Sequence, residues 1–303
     1  MMRQLTVTRD APLLAYLLEV LQLKRRAVKN LLASGAVTVN AAPTRQFDHP
    51  LVAGDSVTIV DLQTAAAGER LALARIKLVH EDAAMIVLDK PAGLLTVATE
   101  GHETDTLYFR LNRFISDRAA AQVRRAAGQG PRALVVHRLD RETSGLVLFA
   151  KSLRIKRLLQ ADWPSVEKKY FAVVVGRPPR DEGSISSYLT ETRALQVFSN
   201  DHETAGSQLA TTHYRRIETR NHLSLLEIRL ETGRKHQIRV HLAELGCPVA
   251  GDRRYGGKAD PCHRLGLHAT SLALAHPDTG ERRLFTSALP KALGKLFLHA
   301  DTG

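Results

Sequence analysis

Acidic residues, cysteines, long apolar runs and cofactor motifs are all scarce in this chain of 303 residues. Its two cysteines, Cys247 and Cys262, are too few for a disulfide framework and form no CxxC pair, so a reducing compartment is expected and both serve as structural filler. No stretch approaches the roughly 18 apolar residues of a membrane span. The apolar N-terminal run is interrupted by Asp10, Pro12, Tyr16 and Glu19 and is followed by no small-residue cleavage site, so the expected location is the cytoplasm, with no membrane partner. A GxSxG elbow, an HExxH helix and a GxGxxG turn are absent, which removes the usual handles of serine hydrolases, zinc proteases and dinucleotide enzymes. The nearest approach to a phosphate loop, "GDRRYGGKA" at 251–259, fails twice: an extra glycine separates Gly256 from Lys258, and Ala259 stands where a metal-binding Ser or Thr is required. The thirteen histidines lack paired ligand spacing around Cys262, His263 and His268, so no metal site is expected.

What the chain does have is positive charge. Lys plus Arg number 43 against 31 for Asp plus Glu, a formal net charge of +12, which favours a polyanionic partner through counterion release. A hydrophobic share of 44% over this length provides one substantial core and a small second domain.

Residues 13–34 place Leu13, Leu14, Leu17, Leu18 and Leu21 on one helical stripe, and Val28, Leu31 and Leu32 on a second that ends at Gly35. Short alternating strands follow in "AVTVN" and "LVAGDSVTIV". Lys24, Arg25, Arg26, Lys29 and Arg45 crowd this unit, and no acidic residue stands between Lys24 and Ala36 to offset them. This order of two helices, the "SGAVTVNAAP" strand and turn, and the Gly54-Asp55 turn resembles the αL-type RNA-binding domain of a small-subunit ribosomal protein and several RNA-modifying enzymes. The resemblance covers about residues 12–60 and implies that those five basic residues bind RNA. The domain is expected over 1–62, an alanine-rich linker over 63–75, and a larger domain over 76–303.

In the larger domain, strands are expected at 76–80, 84–89, 133–136, 146–150, 169–175, 210–218 and 223–231, with helices near 105–126, 153–162 and 235–245. That is an α+β composition without regular βαβ alternation. Between the apolar runs "ALVV" and "GLVLFA" lies a dense charge cluster, His137-Arg138-Leu139-Asp140-Arg141-Glu142, so its loop emerges from the middle of a sheet, where a scaffold can hold a reactive group. Asp140 has two readings on residue chemistry alone. It caps the loop through backbone N–H groups, or it is a nucleophile or base, roles open to an ionised carboxylate.

"HRLDRETSGLVLFAK" at 137–151 resembles the signature of RluA-type pseudouridine synthases, whose HRLD segment carries one essential aspartate. Three further segments resemble family motifs in the same order: "HEDAAMIVLDKPAGLLTV" at 80–97, "KKYFAVVVG" at 168–176 and "ETGRKHQIRVHLAELGCPVAGDRRYG" at 231–256. The resemblance runs from about 76 to 290. It departs from the common wording at Asp89 and at 95–99, and the Arg- and Ala-rich stretch 111–132 has no clear counterpart. The resemblance implies a pseudouridine synthase fold, with a mixed, mainly antiparallel sheet and flanking helices. It implies that Asp140 is the catalytic carboxylate, that Arg239 pairs with it, and that Tyr170 stacks on the target uracil. It assigns Arg138 to the space vacated by the displaced base, and His137 to the same base-flipping and RNA-contacting loop; Arg141 and Glu142 fall to loop or phosphate contacts. The implied reaction isomerises uridine in RNA, adds and removes nothing, and needs no cofactor. A monomer acting on large-subunit ribosomal RNA is expected, with transfer RNA as the other candidate. A non-catalytic RNA-binding or ribosome-assembly protein would keep the basic N-terminal part but has no use for Asp140, Tyr170 and Arg239 together. A DNA-binding or membrane-surface protein fits the charge and leaves the four motifs unused.

Overall fold

The computed structural model describes residues 3–23, 25–33, 37–40, 42–44, 46–59, 76–98, 105–122, 132–192, 196–256 and 259–297. Lys24, Gly35, Arg45 and the linker expected at 63–75 lie outside these residues, as does 123–131 of the Arg- and Ala-rich stretch. The chain divides into two compact units, Met1–Arg75 with Asn112–Pro131, and Ile76–Leu111 with Arg132–Gly303. Among the described residues no helix is long and apolar enough to cross a membrane.

The first unit runs β1 (Arg3–Thr6), β2 (Ala11–Pro12), α1 (Leu13–Leu21), α2 (Arg25–Ala33), β3 (Val37–Val39), β4 (Ala42–Pro43), β5 (Pro50–Leu51) and β6 (Ser56–Ile59). Its main sheet has the order β1-β6-β3-β4. The two leucine stripes meet there: Leu13, Leu17, Val28, Leu31 and Leu32 are buried with Val37, Val57 and Ile59. Burying those faces turns Arg25 and Lys29, four apart on α2, to the exposed side, where the Lys29 ammonium lies 5.7 Å from the centre of the Phe47 ring.

The second unit holds β7 (Lys77–Glu81), β8 (Met85–Lys90), β9 (Leu134–Val135), β10 (Ser144–Ala150), β11 (Glu167–Val175), β12 (Glu182–Glu191), β13 (Val197–Asn200), β14 (Gln208–Arg220), β15 (Leu223–Leu230), β16 (Leu267–Ala275) and β17 (Arg282–Thr286). Its helices are α4 (Leu153–Ala161), α5 (Gln237–Glu244) and α6 (Lys291–Gly294), and α3 (Leu107–Gln122) begins in it. The eleven strands form one sheet of order β13-β12-β14-β15-β11-β16-β10-β8-β7, with β17 on β16 and β9 on β10. Every strand pairing is antiparallel except β10 with β16, so the expected α+β, mainly antiparallel architecture is what forms. Helix α4 packs Ile155 and Leu159 against Leu146 and Leu148. Helix α5 packs Ile238 and Leu242 against Ala172, Val174 and Ile228.

All seven residues of β10 are buried, as suits a central strand covered on both faces, and its apolar run is why the sequence pattern finds it. Strands β12, β13, β16 and β17 and helix α6 go beyond the elements expected from periodicity. The Ser-rich β12 alternates exposed and half-buried positions over its first half, which leaves little apolar contrast to detect.

The parallel pairing of β10 with β16 depends on one glycine. Gly145 has φ +114°, and a Cβ there would sit 2.1 Å from the Ala269 carbonyl oxygen, on the neighbouring strand. Gly145→Ala therefore combines a backbone conformation that L residues rarely adopt with a clash against main chain. We expect it to lower the unfolding free energy by roughly 3 kcal/mol or more, measured by urea denaturation with the fluorescence of the single tryptophan, Trp163, as reporter.

Candidate active site

The loop between β9 and β10 carries Asp140 to the mouth of a cavity of about 240 Å³, lined among others by Arg138, Trp163, Tyr170, His236 and Arg239. This is below the roughly 300–1,000 Å³ of a drug-sized pocket, and so has room for one base-sized group.

The loop is pinned on both sides of the aspartate. The Thr96 hydroxyl donates to the Leu139 carbonyl at 2.9 Å and accepts the Leu139 N–H at 3.1 Å. The Lys90 ammonium, wholly buried at the end of β8, donates to the carbonyls of Leu94 at 2.7 Å, Pro91 at 3.0 Å and Arg141 at 3.0 Å. Gly93 N–H also reaches the Arg141 carbonyl, at 2.9 Å. The "KPAGLLT" segment thus acts as a clamp that fixes residues 139 and 141 and leaves the carboxylate between them. Burial draws the Lys90 pKa down to about 7, against the opposing pull of the Asp140 and Glu142 carboxylates.

Arg239 approaches Asp140 from the first turn of α5, its Nη1 3.4 Å from Oδ2. Its other nitrogens are already held: Nε donates to Asp252 Oδ2 at 2.7 Å and Nη2 to Asp252 Oδ1 at 2.8 Å. Asp252 is itself fixed by the backbone N–H groups of Arg254 and Tyr255. Burial works to raise the Asp252 pKa, but the bonds and charge of Arg239 hold it below the usual carboxylate range. For Arg239, burial works downward and the two carboxylates raise it, so the guanidinium stays charged. The bidentate pair aims the remaining N–H edge of Arg239 at Asp140.

Tyr170 sits on β11 at a bulge in its pairing with β16 and lines the same cavity. Burial, then the nearby Asp140 charge, raises its pKa, so the phenol stays neutral. Arg138 is exposed at the cavity rim.

His137 has a structural place in the wall. Its Nε2 accepts the Leu148 N–H at 3.0 Å, and its ring stacks on Trp163 with centroids 4.4 Å apart. Burial, aided by the Lys168 charge, lowers its pKa to about 3. An unprotonated acceptor nitrogen is what the Leu148 bond requires.

The structure thus brings Arg138, Asp140, Tyr170 and Arg239 to one cavity, with His137 in its wall. Arg25 and Lys29 are exposed on α2, Arg26 belongs to that helix, and Lys24 and Arg45 lie outside the described residues. Sequence reasoning misses four groups: Lys90 and Thr96, which hold the loop; Asp252, which holds Arg239; and His236, whose Nε2 lies 3.8 Å from Asp140 Oδ2. Lys90 and Asp252 stand inside segments that the motifs single out, "DKPAGLLTV" and "GDRRYG", but nothing in the spacing shows what they bind.

Residues 84–244 match the family model described as RNA pseudouridylate synthase. A Pseudomonas aeruginosa protein named ribosomal large subunit pseudouridine synthase D is 32% identical over 287 residues, covering 88% of this chain and 84% of the relative. The protein of the same name from Nitrosomonas europaea is 36% identical over 258 residues, covering 80% and 71%. Among solved structures, human RNA pseudouridylate synthase domain containing 4 superposes with a TM-score of 0.60 at 24% identity, covering 77% of this chain and 97% of that one, a likeness of fold.

The state of His137 has a measurable consequence. Its folded pKa of about 3 lies below the ordinary 6.5, so between those values the unfolded chain binds more protons and stability rises with pH. The contribution is complete above about pH 6.5 and is lost progressively as pH falls toward about 3. Urea unfolding across this range is expected to show a steeper acid loss for wild type than for His137→Gln.

Proposed function

The chain belongs to the RNA pseudouridylate synthase family, which isomerises uridine to pseudouridine in RNA, and from that premise we propose that Asp140 carries the reaction. The observation behind this assignment is the meeting of Asp140 with Arg239, itself locked by Asp252, at the mouth of a base-sized cavity. The C1′–N1 glycosidic bond breaks, the uracil turns, and a C1′–C5 bond forms; the C5 proton leaves and N1 gains one, so nothing is added overall. Asp140 acts as nucleophile toward the sugar or the ring, or as base toward a ribose proton, and both routes use a carboxylate aligned by a fixed cation. Tyr170 packs against the uracil with a neutral hydroxyl at hand. A uridine within folded RNA must leave its stack, at a cost of a few kcal/mol. Arg138, exposed at the rim, fills the space with its planar guanidinium.

The first unit serves as an αL-type RNA-binding domain, in which Arg25 and Lys29, with Lys24, Arg26 and Arg45, hold phosphates and position the RNA without reading bases. Large-subunit ribosomal RNA is the favoured substrate, following the names of the relatives.

The test is chemical mapping of pseudouridine in ribosomal RNA from a host lacking the protein, after incubation with wild type or Asp140→Asn. Wild type is expected to introduce pseudouridine in large-subunit RNA, and Asp140→Asn to bind the same RNA and introduce none. Identical maps for the two proteins would refute the assignment of Asp140.

A further inference from the structure

His236 stands immediately before α5 with φ +54°, a conformation that non-glycine residues seldom take and that often marks a functional constraint. Its side chain makes no capping bond to the helix and turns into the cavity beside Asp140. The hydrogen bonds behind it favour one tautomer. The Val197 N–H donates to the Tyr255 hydroxyl oxygen at 3.1 Å, and that oxygen lies 2.8 Å from His236 Nδ1. With the Val197 N–H taking one acceptor site, the Tyr255 hydroxyl can turn its own proton to Nδ1, which makes Nδ1 the acceptor and puts the proton of the imidazole on Nε2. Nε2 faces Asp140 Oδ2 at 3.8 Å, too far for a hydrogen bond. In that tautomer a polar N–H points into a small cavity without an acceptor in bonding distance among the described residues, held by a tyrosine whose ring also lies 5.1 Å beneath the Arg239 guanidinium.

We propose that His236 touches the substrate: its Nε2–H donates a hydrogen bond to a carbonyl oxygen of the target uracil. This rests on the function proposed above. When the C1′–N1 bond breaks, its electron pair passes to the uracil and the charge spreads onto O2 and O4. A neutral N–H aimed at one of those oxygens stabilises that charge, and no proton is transferred by the histidine. Burial, opposed by the Asp140 charge and aided by those of Arg239, Arg254 and Lys235, lowers the imidazole pKa to about 4, which keeps the donor neutral at the pH of the cell. A fixed neutral donor is suited to holding an oxygen whose charge grows and falls within one turnover.

Two measurements test this. In wild-type protein with 15N-labelled histidine, the imidazole spectrum of His236 is expected to show the Nε2–H tautomer from about pH 6 to 8; an Nδ1–H tautomer or an imidazolium in that range overturns the proposal. The second compares His236→Asn, which tolerates the left-handed backbone but withdraws the donor, with His236→Gln, whose longer amide can reach toward it. His236→Asn is expected to lower kcat on the order of 10²-fold with unchanged affinity for RNA, and His236→Gln to recover part of the loss. Equal kcat for His236→Asn and wild type, or a loss matched by weaker RNA binding with no recovery by His236→Gln, overturns the role of His236 alone. A wild type that forms no pseudouridine overturns the assigned function and this role with it.

Discussion

One guanidinium shared between two carboxylates organises the candidate active site. Arg239 gives two of its nitrogens to Asp252, whose side chain is fully enclosed, and is left with one edge for Asp140, which is 22% exposed. The division between them follows from burial. A carboxylate removed from water needs full pairing to remain charged, so Asp252 takes the bidentate contact and the backbone donors, and Asp140 stays reachable from the cavity. Arg239 stands at the start of a helix packed on the sheet by Ile238 and Leu242, which fixes its main chain beside Asp252.

The sheet contributes rigidity on the opposite side. Strand β10 lies between β8 and β16, and the loop ahead of it is tied through Leu139 and Arg141 to the "KPAGLLT" segment after β8. Burying Lys90 to hold three carbonyls opposes the solvation of its charge. The return is a loop whose main chain is fixed one residue before and one residue after Asp140. The catalysis proposed for Asp140 depends on such preorganisation, since displacement of about 1 Å can cost on the order of 10²-fold in rate.

Apolar contrast and contiguous motifs carry what is legible in the sequence. Strands β8, β10 and β15 have long buried runs, and Asp140, Tyr170 and Arg239 stand in segments that resemble a family signature. Polar strands escape detection, as does the placing of β11 between β15 and β16, because register and strand order arise from pairing across a hundred residues and leave no local period. Asp252 stands out in the sequence only as part of a failed phosphate loop, and its partner 13 positions earlier follows no helical spacing. His137 shows the same limit. Its place in the signature points to the base-flipping and RNA-contacting loop, while its acceptance of the Leu148 N–H becomes visible only once β10 is in place.

The shared guanidinium is tested most directly through the partner farthest from the substrate. Asp252→Asn keeps the shape of the side chain and removes the charge that holds Arg239, while leaving Asp140, Tyr170 and the proposed RNA contacts untouched. Measured as the rate of pseudouridine formation under saturating RNA, activity is expected to fall on the order of 10²-fold with RNA affinity unchanged. A rate equal to wild type would contradict the claim that Asp252 aligns the reactive carboxylate through Arg239.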